Sequence, residues 1–178
     1  MSILKVARMG HPVLRARAKA LTPGDIKHAV VQQLIDDMID TMIEYHGVGL
    51  AAPQIHEGLR IFVGLLDSPT PDGRDEAEPE PIAVIDPEIA TIGEEVVEDW
   101  EGCLSIPDIR GRVPRAREIR LRGYTRDGAR FDRALRDFPA RVAQHEADHL
   151  DGILFFDRMK SFESLTFLEE YSRYHTKE

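Results

Sequence analysis

The middle of this chain is built from short segments rich in β-branched and aliphatic residues, and helical periodicity occurs only on either side of it. Such segments favour strands, because branched side chains pack well on a pleated surface. The candidate strands are residues 60–66, 82–86, 88–97, 118–124 and 129–135. The last two flank Asp127-Gly128, a dipeptide typical of the turn in a β-hairpin.

Three helices are predicted around these strands. The first is expected to be capped by Asp25 and to end at Gly47, because apolar residues recur at helical spacing between them. The second begins near Pro139 and ends at Gly152, and the third covers residues 163–174. This order predicts an α+β fold in which antiparallel β-sheets wrap around the second, central helix, with an N-terminal helix and a C-terminal helix beside them.

Length and charge limit the class of protein. The 178 residues fit one domain, 1–178, and the formal net charge of −9 argues against non-specific binding to nucleic acid. No apolar run approaches the roughly 18 residues of a membrane span, and the first residues lack a secretory apolar core. We therefore expect a cytoplasmic protein with no membrane and no DNA partner.

Charged residues are distributed unevenly. Residues 68–81 are rich in proline and acids, a composition typical of a mobile acidic surface loop. Residues 108–141 contain many arginines and few acids. Two interpretations of that second segment stay open, a solvated face and a basic face for RNA or an acidic ligand.

The sequence His145-Glu146-Ala147-Asp148-His149 lies on the predicted second helix. A spacing of four places both imidazoles on one face, one turn apart, where they can bind a single metal ion. Glu146 is roughly 100° round the helix from His145, so its carboxylate can reach a water on the metal without being a ligand. The alternative is a chance match on a charged helix.

A catalytic metal held by two histidines needs a third protein ligand and keeps one position open for water. The single cysteine, Cys103, stands in Glu101-Gly102-Cys103-Leu104-Ser105. A free cysteine is commonly a small buried hydrophobe. The preceding glycine and the polar neighbours favour a ligand on a tight turn instead.

A third segment, Gly-Val-Gly-Leu-Ala-Ala-Pro-Gln at 47–54, directly follows the first helix. Its glycines allow close approach of the backbone to a ligand or to another strand. Gln54 offers an amide N–H that could donate to a developing oxyanion. By itself this segment is weak evidence, since a glycine-rich exit is usually only a helix cap.

Taken together, the segments GVGLAAPQ, EGCLS and QHEADH occur in the order found in the peptide deformylase family, and the chain resembles that family over nearly its whole length. The resemblance extends to HPVLR near the start, to VPRARE and to HLDGILFFDR. The insert at 68–81 is longer than is usual in the family.

The resemblance implies a metal-dependent hydrolase that removes the formyl group from the formyl-methionine of new polypeptides. It implies that Cys103, His145 and His149 hold one divalent metal, with water as the fourth ligand. Glu146 would take a proton from that water and pass it to the leaving amine. Iron(II), Fe2+, is the implied natural metal, and nickel, cobalt or zinc could occupy the same site.

Further roles are implied by the same resemblance. Gln54 and the backbone N–H of Leu104 would surround the oxyanion, and Gly49 would hydrogen-bond an extended peptide. Glu101 would pair with Arg115 and brace the turn that carries the cysteine. The methionine pocket would be lined by Val48, Leu104 and Val142. Implied partners are nascent N-formyl-methionyl peptides, with the ribosome as a further candidate.

Two rival functions use the same residues differently. A zinc endopeptidase would take a downstream glutamate as third ligand, and Glu169 and Glu170 lie 20 and 21 residues after His149. That reading leaves the EGCLS segment without a role. A non-catalytic metal or formyl-peptide-binding module is the other rival, but structural zinc sites normally have four protein ligands.

Overall fold

The computed structural model describes residues 2–67 and 80–176. Its strands are β1 (Gly49–Ala51), β2 (Ile61–Gly64), β3 (Ile82–Thr91), β4 (Val96–Cys103), β5 (Ile106–Ala116), β6 (Glu118–Tyr124), β7 (Arg130–Arg136) and β8 (Thr166–Phe167). Its helices are α1 (Pro23–Ile26), α2 (Ala29–Glu44), α3 (Asp137–Leu150), α4 (Phe155–Arg158) and α5 (Leu168–Tyr174). Short 3-10 turns occupy Pro12–Arg15 and Ala52–Ile55.

The strands form two antiparallel sheets. One has the order β1-β2-β3-β6-β7 and the other has the order β4-β5-β8. Helix α3 contacts strands of both sheets, and its Ala140, Val142, Ala143 and Leu150 are buried. The predicted α+β fold, with antiparallel sheets around the motif-bearing helix, is confirmed. Strands β1 and β4 each lie at the edge of their sheet, which leaves backbone groups for an added strand.

The first helix differs from its prediction. Asp25 does not cap the long helix α2: it is the third residue of a capping box with Thr22 in the separate short helix α1. His28 is extended and separates α1 from α2, which ends at Glu44, just before Gly47. The reciprocal Thr22 and Asp25 hydrogen bonds stabilise an extra turn that apolar periodicity alone does not reveal.

Three further boundaries differ from their predictions. The strand expected at 88–97 crosses a turn at Gly93, whose φ of +71° ends β3 before β4 begins. The helix expected at 163–174 starts only at Leu168, because Thr166–Phe167 pairs with Ile109 and Arg110 of β5. Strand pairing therefore overrides helical periodicity there. The helix predicted from Pro139 begins two residues earlier, at Asp137.

Most arginines of the segment 108–141 form ion pairs with acids. Examples are the pairs Arg117–Glu95, Arg120–Asp132, Arg126–Asp36 and Arg133–Asp67. This pairing favours the solvated face over a basic face for RNA. Residues 68–79 of the expected acidic loop lie outside the described residues. None of the helices within the described ranges has the length and apolar character needed to cross a membrane.

Candidate active site

Three side chains from two elements converge at one buried point. Helix α3 carries His145 and His149 one turn apart, and β4 ends at Cys103. One ligand atom from each of the three lies within 4.8 Å of the others. The Cys103 Sγ and the His149 Nε2 are 3.2 Å apart. All three residues are buried, so the fold gathers a soft sulfur ligand and two imidazoles at one shielded point.

The electrostatics of this cluster favour a thiolate beside positive charge. Burial by itself would raise the pKa of the Cys103 thiol, but the imidazoles of His149 and His145 lower it well below its ordinary value. Burial would likewise lower the pKa of His145, yet hydrogen bonds with Cys103 and Glu101 raise it well above its usual range. The Cys103 thiolate and the Glu101 carboxylate thus stabilise positive charge on the His145 imidazole.

Glu146 lines the same cavity as Cys103 and His145 and is 4% exposed. Its Oε2 has no hydrogen-bond partner among the described residues. Burial raises the pKa of this carboxyl to about 7. A buried carboxylate oxygen without a partner marks a place where a water or a substrate group belongs.

The carboxyl group of Glu146 rests on the backbone of Gly49 in β1. A Cβ added at Gly49 would lie 2.3 Å from Oε1 and 2.7 Å from Cδ of Glu146. Only glycine leaves room for the carboxylate at this point. The glycines of this segment indicated close approach of the backbone to a ligand or to another strand. The structure shows that the side chain of Glu146 is one such neighbour.

Gln54 lies in the 3-10 turn after β1 and is 1% exposed. Its Oε1 accepts from the backbone N–H of Ala51 at 2.8 Å, which orients the amide. Its Nε2 then points to the Sγ of Cys103 at 3.5 Å and to the Oγ of Ser105 at 3.2 Å. An amide donor is therefore held beside the cluster in one orientation.

Glu101 anchors the cysteine turn through a buried ion-pair network. Its carboxylate accepts from Arg115 at 2.9 and 3.0 Å, from Arg141 at 2.7 Å and from the Nδ1 of His145 at 2.9 Å. Burial by itself would raise the pKa of Glu101, but hydrogen bonds from His145 and Arg115 hold it well below its ordinary value. The contact to Nδ1 turns the other ring nitrogen of His145 toward the cluster.

Two residues of this network were missed in the sequence. Arg141 also donates to the carbonyl oxygens of Val113 and Val97, both at 2.8 Å, and so ties α3 to the β4-β5 hairpin. Asp148 bridges Arg115 and Arg158. Arg141 precedes His145 by four residues, so helical spacing was the signal that could have indicated a shared face.

A cavity of about 720 Å³ opens beside the cluster. The residues expected to take a methionine side chain all line it, namely Val48, Leu104 and Val142, and so do Gly49 and Gln54. Val142 is buried on α3, whereas Val48 is 42% exposed at the mouth. The structure therefore brings the three sequence segments to one cavity.

The donor set fits a catalytic metal ion. A thiolate with two imidazoles leaves a fourth tetrahedral position, and the unpartnered Oε2 of Glu146 is a second sign of a missing polar group there. The two glutamates that could supply the third metal ligand of an endopeptidase are not part of this cluster. Glu169 and Glu170 are on α5, where both pair with Arg173, and Glu169 is 78% exposed.

These features fit the class of metal-dependent hydrolases, because a cysteine and two histidines that could bind a metal ion lie beside an open cavity. The polypeptide deformylase family model matches residues 3–164. Peptide deformylase 2 of Nostoc sp. is 43% identical over 175 residues, 98% of this chain and 96% of that protein. Peptide deformylase 1 of Nitrosomonas europaea is 44% identical over 86% of this chain and 85% of its own.

Solved structures of peptide deformylases are also similar to this chain. The Met-Ala-Ser-bound class I type b peptide deformylase of Acinetobacter baumannii has a TM-score of 0.80 and 37% identity, covering 89% of this chain and 99% of its own. The Thermotoga maritima peptide deformylase also has a TM-score of 0.80 and 37% identity, covering 90% and 100%. The chain belongs to the polypeptide deformylase family. It is a metal-dependent hydrolase that removes the N-formyl group from nascent polypeptides.

Proposed function

We propose that Cys103, His145 and His149 hold the one divalent metal of this hydrolase, and that deformylation occurs in the cavity beside them. The observation that carries the proposal is the convergence of their ligand atoms within 4.8 Å next to an unpartnered buried carboxylate. The chemistry that the metal supplies when bound is activation of water as a nucleophile at neutral pH.

Glu146 moves the proton in this proposal. Its carboxylate accepts a proton from the attacking water and then donates it to the nitrogen of the leaving peptide, because an amine leaves only when protonated. The unpartnered Oε2 and the raised pKa of about 7 suit a group that holds a proton for part of each cycle. One carboxylate serves both transfers.

The oxyanion of the tetrahedral intermediate is stabilised by two donors of the chain. The amide N–H of Gln54 is one, since Ala51 fixes its orientation. The backbone N–H of Leu104, next to Cys103 in the turn between β4 and β5, is the other. Donors fixed in advance stabilise a developing charge without reorganisation during the reaction.

The substrate binds as an extended peptide between two sheet edges. Gly49 of β1 supplies backbone hydrogen bonds as a neighbouring strand would, and the methionine side chain enters the pocket of Val48, Leu104 and Val142. The tripeptide Met-Ala-Ser bound to the Acinetobacter relative supports a product of this kind. We further propose iron(II) as the resident metal, a cytoplasmic location, and encounter with the nascent chain at the ribosome.

The Gly49→Ala change tests the place of Glu146. The added methyl group has to displace the carboxylate, so turnover of formyl-Met-Ala-Ser is expected to fall by about 10²-fold, the typical effect of a misplacement of about 1 Å. Metal content and melting temperature are expected to stay near those of the unmodified protein. Formate release and metal content per chain are the measurements.

Gly64→Ala is the matched control. Gly64 pairs directly with Gly49 in β2, but a Cβ there meets only ordinary contacts from 3.4 Å upward. Full activity of Gly49→Ala, or an equal loss in both variants, would contradict the contact proposed for Glu146.

The Cys103→Ala change tests the ligand set. Loss of the thiolate leaves two imidazoles, so the purified protein is expected to lose tightly bound metal and formate release together. Glu169→Ala is expected to keep both. Purification without air followed by metal analysis measures the outcome. The reverse pattern, with metal lost only in Glu169→Ala, would support the endopeptidase ligand set and contradict ours.

A further inference from the structure

A second cavity of about 1000 Å³ lies between the β4-β5 hairpin and the C-terminal segment that contains β8 and α5. Aromatic and charged side chains line it together. They include Trp100, Arg112, Leu165, Tyr171, Tyr174 and His175. We call this cavity the C-terminal groove. None of the roles proposed above uses it.

The C-terminal groove adjoins the active-site cavity. Trp100 lines both cavities. Arg110 lines the active-site cavity, and its paired residue Thr166 lines the groove. Gly102 also lines the active-site cavity, and it lies on the face that Arg110 covers, since a Cβ built on it would meet the Arg110 guanidinium. One face of the hairpin therefore leads from the cluster into the groove.

The distance from Cys103 to Trp100 along β4 matches the reach of a peptide that leaves the active site. Trp100 is three residues before Cys103 on β4, which corresponds to ~10 Å along a strand. A peptide that lies extended along this edge covers the same distance with about three residues. The fourth and later residues of a bound chain would therefore reach the far side of Trp100.

The lining suits polypeptide of varied sequence. Tyr171 and His175 of the C-terminal segment pack on the Trp100 ring at centroid distances of 5.1 and 4.9 Å, which fixes the wall between the cavities. Tyr174 is 66% exposed and so is open to contact by a ligand. Charges of both signs, from Arg112 and Glu163, add polar contacts without selecting one kind of side chain.

We propose that the C-terminal groove binds the substrate polypeptide beyond its third residue. The inference rests on the proposed function, because the peptide must first be seated with its formyl-methionine at the metal cluster. Contacts that hold the ground state and the transition state equally lower KM and leave kcat unchanged, and the contacts of the groove are of this kind in the proposal. Long nascent chains are then bound more tightly than short peptides.

The test compares formyl-Met-Ala-Ser with the same peptide extended by four residues of neutral sequence. For the unmodified, metal-loaded enzyme we expect KM for the longer peptide to be about fivefold lower, which corresponds to about 1 kcal/mol of added contact, with kcat the same. Tyr174→Ala removes an exposed ring from the groove, and Thr166→Trp fills the groove. Both variants are expected to lose the length preference and to process the tripeptide normally.

Phe162→Ala is the matched control. Phe162 is an equally exposed aromatic residue, 67% accessible, that lines neither cavity, so its variant is expected to keep the preference. Equal KM values for both peptides in the unmodified enzyme, or a preference that survives in both groove variants, would overturn the inference. Absence of formate release from the tripeptide would instead contradict the proposed function.

Discussion

Glu146→Ala is expected to lower turnover by at least ~10²–10⁴-fold, the usual effect of losing a general base, and to retain about one metal ion per chain. The reason is that Glu146 lines the same cavity as Cys103 and His145 but is not among the three side chains whose ligand atoms converge. The same group serves as base and as acid, so the loss can exceed this range. Formate release and metal content per chain measure both effects.

Two further variants sharpen this result. Glu146→Gln keeps the volume of the side chain but cannot carry the proton, so it should be as inactive as Glu146→Ala. Glu170→Ala, an acid on α5 that pairs with Arg173, should be fully active. A Glu146 variant that purifies without metal, or that works within tenfold of the unmodified enzyme, would show that the proton-transfer role is wrong.

Glu101→Ala is expected to destabilise the protein by about 3–5 kcal/mol, the usual cost of removing one partner from a buried ion pair. The change leaves Arg115 and Arg141 without a carboxylate that both contact at hydrogen-bond distance. For a chain of this length, that cost corresponds to a fall of roughly 6–20 °C in melting temperature. Metal affinity should fall as well, because the Nδ1 of His145 loses its acceptor.

Glu98→Ala on the same strand is the control for this prediction. Glu98 is within 3.6 Å of Lys160 in a surface ion pair, and such pairs contribute about 0–1 kcal/mol. Thermal unfolding of the two variants in one buffer gives the comparison. Melting temperatures of Glu101→Ala and Glu98→Ala that agree within a few degrees would contradict the importance of the network.

Features that depend on local spacing were predicted well. His149 follows His145 by four positions, and a helix brings such residues to one face whatever surrounds it. The hairpin of β6 and β7 follows from alternation around Asp127-Gly128 and was predicted within one residue. Local geometry decides both features, so neighbours in sequence contain the necessary information.

The β4-β5 hairpin shows where such reasoning ends. Residues 106–116 were not predicted as a strand, since Pro107, Gly111 and Pro114 disfavour one. They form β5 because β4 pairs with them on one side and β8 on the other. Pairing across the sheet outweighs local preference when it satisfies backbone groups along a whole strand.

The sequence by itself determined the class of fold, the motif helix and the three segments that meet at the site. Only the tertiary structure decided which atoms touch: the carboxylate of Glu146 on the backbone of Gly49, and the network that joins Arg141 and Asp148 to Glu101 and Arg115. Those contacts join residues 14 to 97 positions apart. No local pattern encodes contacts between residues so far apart in sequence, because these contacts form when α3 packs against both sheets at once.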